Sequence, residues 1–256
     1  MKQFLLLIFN SLSLIFALVL NGMQGSEMFN SVSVGEISRK YDTLIAPAGY
    51  AFAIWGVIYL MLILFVINQW VSWFRFKNDY ELKQISLWFI LGNLANGLWI
   101  VAWLNEYFAL SVILIFTILL SLIMLTFRLR LEMWNAPFRV IFFVWWPLVI
   151  YLGWIVVASV ANVAVWLVSM QWNGGVFSPE YWTIFMIGGA TLIYLLLILT
   201  RNMREAALVG VWAFVAIAVK HFGKTDMLAN AALVAAAILL IAISIHAYRN
   251  RKALPF

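Results

Sequence analysis

Three tryptophans of this chain, Trp55, Trp99 and Trp154, each have polar or small residues three or four positions away on the same helical face. These neighbours are Tyr59, Asn96 and Ala158, and Asn162 follows Ala158 by four positions on the same face. Indole rings stack on flat aromatic molecules, while amide and phenol groups orient polar substituents. The residues therefore predict a pocket for a flat aromatic ligand.

The other tryptophans have a structural explanation. Trp and Tyr are enriched at both interfaces of membrane proteins, and such a belt accounts for Trp70, Trp73, Trp88, Trp134, Trp166, Trp172 and Trp182. Helix packing or membership of this belt is also an alternative explanation for Trp55, Trp99 and Trp154. Asn96 and Asn162 could likewise tie helices together through hydrogen bonds worth about 0.6 kcal/mol each.

The composition indicates an integral membrane protein. Of the 256 residues, 66% are apolar and 10% are charged, whereas soluble domains average about 45 to 50% apolar and about 25% charged residues. The chain has no Cys, and His221 and His246 are its two histidines. Thiolate metal sites, iron–sulfur clusters and multi-histidine metal centres are therefore excluded. We assign no catalytic residue, no metal ligand and no resident cofactor.

Eight apolar segments are long enough to be candidate membrane spans, since a core of about 30 Å needs about 20 residues. The predicted fold class is an all-α integral membrane protein. The segments are 4–22, 50–72, 85–104, 107–127, 138–168, 181–200, 205–221 and 227–248. Pro147 lies inside the fifth segment, which is predicted to be one kinked or tilted helix rather than two spans.

The basic residues predict an orientation, because Lys and Arg concentrate in cytoplasmic loops. One side of the eight-span topology receives Lys2, Arg75, Lys77, Lys83, Arg128, Arg130, Arg139, Arg201, Arg204, Arg249, Arg251 and Lys252. The other side receives Arg39, Lys40, Lys220 and Lys224. Both termini are therefore expected in the cytoplasm, in a bacterial plasma membrane. The net charge of +6 is explained by these loops, so no nucleic-acid partner is expected.

The predicted topology places the tryptophan site under a loop. Counted at 1.5 Å per residue, Trp55 lies about 9 Å below the outer surface, and Trp99 and Trp154 lie about 21 Å above the inner one. In a core of about 30 Å these are equal heights. The long connection 23–49 is on the same outer face, where it is either disordered or a lid. No Asp, Glu, Lys or Arg lies clearly at mid-span, which argues against an ion-coupled transporter.

Three blocks of this sequence resemble the TspO/MBR family, the tryptophan-rich sensory proteins that include the mitochondrial translocator protein. The first block runs from Pro47 to Trp55 and Tyr59, the second is Asn96-Gly-Leu-Trp99, and the third is Trp154 followed eight residues later by Asn162. The resemblance implies that residues 1–170 form a five-helix bundle with an outer lid loop at 23–49. It also implies a pocket for porphyrins, heme or other flat hydrophobic ligands.

The resemblance gives particular residues their expected roles. Trp55 and Trp154 match the family's two pocket tryptophans, which have been linked to photo-oxidative porphyrin breakdown. The family often has Pro-Pro-x-Trp at the pocket mouth, where this chain has Pro47-Ala48-Gly49, and Tyr50 is the candidate replacement for the missing Trp. No cholesterol binding is expected, because no Tyr and no Arg or Lys follow Asn162 in the sterol-associated stretch.

Residues 171–256 are predicted to form a C-terminal membrane extension of three helices. Small residues allow close helix approach in lipid, and the extension contains Gly188, Gly189, Gly210, Ala231, Ala232, Ala235 and Ala236. The extension is expected to cover one side of the five-helix unit or to form an oligomer interface, for example in a homodimer. A second ligand path and a docking site for a partner protein are the alternatives.

The sequence therefore leads to three functional hypotheses. The first is a membrane protein that binds tetrapyrroles or similar planar hydrophobic molecules for sensing, sequestration or transport. The second is an enzyme that degrades porphyrin photo-oxidatively through Trp55 and Trp154. The third is a facilitative small-solute transporter that the three additional helices complete. The expected partners are the lipid bilayer and a planar small molecule.

Overall fold

The computed structural model describes residues 2–29, 31–75, 84–85, 87–172 and 174–250. Helices make up most of these residues, and none of them is in a strand, so the predicted all-α class is confirmed. Lys77, Lys83, Arg251 and Lys252, which contributed to the predicted orientation, lie outside the described residues.

Nine α-helices occur in the described part of the chain, eight of them long and one, α2, short. Their bounds are α1 (Lys2–Gly22), α2 (Val34–Lys40), α3 (Ile54–Arg75), α4 (Trp88–Leu104), α5 (Phe108–Arg128), α6 (Phe138–Ser169), α7 (Pro179–Arg201), α8 (Arg204–His221) and α9 (Asp226–Asn250). The eight long helices overlap the eight predicted segments. The structure therefore places helices where the apolar runs predicted them.

The helices differ in their capacity to cross a membrane. Six segments are long and apolar enough, namely α1, Gly49–Arg75, α5, α6, α7 and α9. Helix α4 is apolar but has 17 residues, and α8 has 18 residues with Arg204, Glu205 and Lys220 at its ends. The predicted count of eight spans is therefore not confirmed, while the membrane class is.

Helix α6 is one element, as its Pro147 led us to expect. A π-helical turn at Ile141–Trp145 precedes Trp146 and Pro147, which lie at the start of the regular part of the helix. Pro147 has no N–H to donate and its ring crowds the preceding turn. The wider π turn relieves this conflict without ending the helix.

One continuous hydrophobic core joins the two halves of the chain. Helix α4 packs between α1 and α5, and α6 packs against α3 and α5. Helix α8 contacts α6 on one side and α7 and α9 on the other. The predicted boundary at residue 170 stays a prediction, but α8 is the element through which the C-terminal helices join the first five long helices.

The contact between α6 and α8 depends on glycines. A Cβ atom added to Gly153 would lie 2.7 Å from the carbonyl oxygen and 2.8 Å from the Cα of Ala206. A Cβ atom on Gly210 would lie 2.5 Å from the ring of Tyr194, and the hydroxyl of Tyr194 donates to the Gly153 carbonyl at 2.7 Å. The three helices α6, α7 and α8 therefore meet without room for another methyl group.

The small residues of the extension do not all have the expected packing role. Ala232, Ala235 and Ala236 are buried, as close packing of α9 requires. A Cβ atom on Gly188 or Gly189 would meet nothing within 4 Å, so these two residues mediate no close helix contact within the described chain.

We predict that Gly153→Ala destabilises the protein by about 1 to 3 kcal/mol, because the new methyl group must push α8 away from α6. The measurement is the midpoint of thermal unfolding in mild detergent. Gly188→Ala is the matched control and should be neutral or slightly stabilising, since Ala is favoured over Gly in helices by about 0.5 to 1 kcal/mol. Equal melting temperatures for the two variants would contradict the tight α6–α8 contact.

Candidate functional site

The structure brings Trp55, Trp99 and Trp154 together from three helices. The ring centroid of Trp55 in α3 lies 6.1 Å from that of Trp99 in α4 and 6.3 Å from that of Trp154 in α6. Trp99 and Trp154 are buried and Trp55 is half-buried. The sequence-based heights of these residues therefore agree with their arrangement.

These tryptophans surround a cavity that the connection between α1 and α3 covers. We call residues 23–53, of which 30 is outside the described residues, the lid. The lid contributes Val34, Ser38, Pro47 and Phe52, and the helices contribute Trp55, Trp99, Trp103, Trp154, Val157, Ala158, Ala161, Asn162 and Val165. The predicted residues Pro47, Ala158 and Asn162 are thus in the wall, and none of the wall residues is acidic, basic or a tyrosine.

The cavity has a volume of about 30 Å³. A water molecule needs about 10 to 15 Å³ of such space, whereas ligand pockets have about 300 to 1,000 Å³. The cavity is therefore too small for a planar ligand unless the lid or the indoles move.

Asn162 is fully engaged within the protein. Its Oδ1 accepts a hydrogen bond from Trp99 Nε1 at 2.7 Å, and its Nδ2 donates to Ser111 Oγ at 2.8 Å. This chain of bonds ties α4, α6 and α5 together and fixes the plane of the Trp99 ring. In this closed state Asn162 orients a cavity tryptophan.

Asn96 lies outside the cavity wall and also links helices. Its Nδ2 donates to Tyr151 OH at 2.9 Å, and its Oδ1 accepts from Asn21 Nδ2 at 2.8 Å and from Tyr59 OH at 3.4 Å. The Tyr59 ring stacks on Trp55 with centroids 5.3 Å apart. Tyr59 therefore packs directly on Trp55, and Asn96 accepts a hydrogen bond from Tyr59. The contacts of Asn96 agree with the alternative that it ties helices together.

Trp154 has an indole N–H without an acceptor. Its Nε1 is buried and has no hydrogen-bond partner among the described residues. A buried unpaired donor costs about 1 to 3 kcal/mol, so an acceptor on a bound molecule would stabilise the protein at this point. Trp154 is thus a cavity residue with an unused polar function.

Tyr50 does not line the cavity, contrary to its predicted role at the pocket mouth. The 3₁₀-helical turn Gly49–Ala53 turns Tyr50 outward, where its side chain is 44% exposed and its ring packs on Trp212 of α8 at 5.3 Å. Phe52 takes the inward position, with its ring centroid 6.0 Å from that of Trp154.

Trp103 is a cavity residue that the sequence analysis missed. Its ring stacks on Trp99 with centroids 5.4 Å apart, and its Nε1 donates to the carbonyl of Val34 in the lid at 3.3 Å. The signal was present, because Trp103 follows Trp99 by four residues and so shares its helical face.

The lid is ordered by its own helix cap and by the turn between α4 and α5. Ser33 and Glu36 form a reciprocal capping box at the start of α2. Lys40 Nζ and Tyr41 OH both donate to the carboxylate of Glu106. These two hydrogen bonds hold the pKa of Glu106 below its usual range, so the carboxylate stays charged and keeps the lid attached near neutral pH.

Helix α8 holds the second half of the lid. Lys220 Nζ forms an ion pair with Asp42 at 2.6 Å and donates to the Thr43 carbonyl at 2.8 Å, and His221 Nε2 donates to the Leu44 carbonyl at 2.7 Å. Two further bonds join Ala48 N to the Ala216 carbonyl and Trp212 Nε1 to the Ala51 carbonyl, each at 3.1 Å. We call this set of bonds the latch.

We predict that the double variant Lys220→Met, Trp212→Phe loosens the lid. It removes two hydrogen bonds and one ion pair of the latch, so amide hydrogen exchange at residues 42–53 should accelerate about tenfold or more. The measurement is hydrogen–deuterium exchange by mass spectrometry in detergent. Lys224→Met, beyond the end of α8, is the control, and exchange that is equally slow in both variants would show that the latch is not what holds the lid.

A buried acidic group lies at the opposite end of the bundle. Glu132, in the connection between α5 and α6, has its pKa raised to about 8, first by burial and then by the charge of Glu205, while Arg204 opposes the shift. The Asn202 side chain donates to the Glu132 carbonyl at 2.9 Å. The sequence analysis gave Glu132 no role, since an acid in a polar connection looks solvated.

We predict that Glu132 contributes a fall in the free energy of unfolding as the pH rises from about 4.5 to about 8, because over this range folded Glu132 keeps a proton that the unfolded chain loses. Outside this pH range Glu132 does not change how the free energy of unfolding depends on pH. Melting temperatures of wild type and Glu132→Gln, measured between about pH 5 and pH 9, test this. The melting temperature of Glu132→Gln should fall less with rising pH than that of wild type, and that of the control Glu27→Gln should fall as in wild type. The same dependence of melting temperature on pH in all three proteins would contradict the prediction.

Comparison with known protein families assigns this chain to one of them. A family model described as TSPO-like protein matches residues 7–245, a range that includes the lid, the aromatic site and helices α7 and α8. No curated protein and no solved structure gives a significant match. Together with its apolar helices, the match identifies the chain as a membrane protein that belongs to the TSPO-like family.

Proposed function

We propose that the aromatic site binds a tetrapyrrole, such as a porphyrin or heme, or a similar planar hydrophobic molecule. The observation that carries this proposal is the convergence of Trp55, Trp99 and Trp154 on one covered cavity. The resemblance of these blocks to the TspO/MBR family adds the ligand class. The protein would act in sensing, sequestration or transport of this ligand.

The cavity wall supports binding more than turnover. Its side chains are aromatic and aliphatic apart from Ser38 and Asn162, and Asn162 already uses both amide atoms. General acid–base catalysis requires a titratable group within hydrogen-bond reach of the substrate, and the described wall offers none. Photo-oxidative breakdown, which would need light and dioxygen as the oxidant besides the indoles but no acid–base group, is the enzymatic alternative.

Ligand affinity would come from stacking and from one directed hydrogen bond. An aromatic pair contributes about 0.5 to 1.5 kcal/mol beyond the burial of its area, and the site offers several indole faces. The free Nε1–H of Trp154 would donate to a carboxylate or carbonyl of the ligand. A planar acid would therefore bind more tightly than its ester.

The contracted cavity requires binding and lid movement to be coupled. A ligand that needs hundreds of Å³ must displace Val34, Ser38 and Phe52 of the lid from the wall. The latch to α8 opposes this displacement. We propose that the C-terminal helices thereby set how readily the ligand enters.

We also propose the finer topology of eight spans with both termini in the cytoplasm of a bacterial plasma membrane. The support is the distribution of basic residues between the two faces. Lys40 and Lys220 lie together at the lid, while Arg201 and Arg204 lie at the other ends of α7 and α8.

We predict saturable quenching of tryptophan fluorescence by protoporphyrin IX in the dark. Trp154→Phe removes the unpaired donor and should weaken binding about ten- to a hundredfold, because a hydrogen bond to a charged acceptor is worth about 1.5 to 3 kcal/mol. The dimethyl ester of protoporphyrin, whose carbonyls are uncharged acceptors, should lose less affinity than the acid on the same substitution.

The matched control is Trp73→Phe, a substitution at the other end of α3, where the ring packs on Phe4 6.0 Å away. It should quench like wild type. Unsaturable quenching in wild type would overturn tetrapyrrole binding. Equal affinity of wild type, Trp154→Phe and Trp73→Phe for protoporphyrin IX would mean that the porphyrin binds outside the aromatic cavity. Loss of bound porphyrin under light, abolished by Trp55→Phe, would favour the enzymatic alternative.

A further inference from the structure

A second cavity system lies between α6 and α7, away from the aromatic site. Helix α7 packs on α8 and α9 but touches α6 at few positions. The gap is a groove of about 730 Å³ between α5, α6 and α7, with Phe116, Val163 and Ile193 among its apolar lining residues. This volume lies within the range of about 300 to 1,000 Å³ typical of ligand pockets.

The groove has a polar mouth at the lid. An adjoining cavity of about 270 Å³ is lined by Asp42 and Thr43 of the lid and shares Trp172 and Trp182 with the groove. Ile193 lies about 20 Å along α7 from Pro179, at 1.5 Å per residue. The path from mouth to groove is therefore longer than half of a hydrocarbon core of about 30 Å.

Two buried hydroxyls in this path lack partners. Thr43 is 4% exposed and lines the mouth, while Ser159 is 3% exposed and lines the groove. Neither Oγ atom has a hydrogen bond within the described part of the chain. Ser11 and Ser121 donate to the carbonyl four residues earlier, as helical serines commonly do. Ser159 does not, so its hydroxyl is available to an occupant of the groove.

The mouth carries a carboxylate, Asp42, and Lys220 contacts this carboxylate from outside the lining. The Asp42 side chain is 69% exposed and lies 2.6 Å from Lys220 Nζ, and the neighbouring Trp172 and Trp182 rings have centroids 5.4 Å apart. A carboxylate beside indole faces attracts an ammonium group, and a lysine attracts a phosphate. A zwitterionic phospholipid headgroup presents both partners at once.

We propose that this groove binds one phospholipid with a zwitterionic, ammonium-bearing headgroup from the membrane leaflet on the lid side. The headgroup lies at the mouth, with its ammonium on Asp42 and its phosphate near Lys220. An acyl chain extends between α5, α6 and α7 past Ser159. The groove is separate from the aromatic cavity, although its mouth shares the Asp42–Lys220 ion pair with the latch.

The test is native mass spectrometry of the full-length protein in detergent, equilibrated with equal amounts of dioleoyl phosphatidylethanolamine and dioleoyl phosphatidylglycerol. Wild type should retain one phosphatidylethanolamine. Val163→Trp fills the groove and should reduce its retention about tenfold or more. Val234→Trp, at a 58% exposed position of α9, is the matched control and should retain the lipid like wild type.

A second variant tests the headgroup independently of groove packing. Asp42→Asn on the exposed lid should keep a bound lipid but lose the preference for phosphatidylethanolamine, and it decides the proposal if Val163→Trp fails to fold. Equal retention by Val163→Trp and Val234→Trp would mean a nonspecific lipid shell and overturn the site. Equal binding of both lipids by wild type would overturn the headgroup assignment.

Discussion

The close approach of α6 and α8 at Gly153 is the constraint on which the rest of the structure depends. Gly153 directly precedes Trp154 in α6, and the backbone of α8 at Ala206 leaves no room for a side chain there. Helix α8 in turn carries Lys220 and the other latch residues. One glycine thus fixes the position of a cavity tryptophan relative to the helix that holds the lid.

The same arrangement explains why a bundle in lipid can contain so many amides. Backbone and side-chain polar groups cannot turn to water inside a membrane, so they must find partners in the protein. Asn96 and Asn162 do so across helices, which fixes the rings of Tyr151 and Trp99. Several buried polar atoms of the described residues lack a partner, and two of them, Trp154 Nε1 and Ser159 Oγ, line cavities. An occupant of either cavity would supply the missing partner.

The sequence was sufficient to predict the helices and the meeting of three tryptophans, because apolar length and helical rise are properties of the chain itself. It could not predict the latch, since three of its hydrogen bonds end on backbone carbonyls of Thr43, Leu44 and Ala51, which every residue type has. It also could not show that a single 3₁₀ turn places Phe52 toward Trp154 and Tyr50 against Trp212. The Ser33–Glu36 capping box was readable in the sequence but was missed.

The position of the latch in the chain has a consequence for biosynthesis. The lid ends at Ala53, but Lys220 is synthesised more than 160 residues later. At about 5 to 20 residues per second, the lid emerges about 8 to 35 s before its α8 partner. During that interval the nascent protein has the tryptophans of α3 and α4 and a lid that nothing yet holds on its α8 side. During synthesis the lid is therefore held by contacts such as those with Glu106, and the latch adds its hydrogen bonds only once α8 has been made.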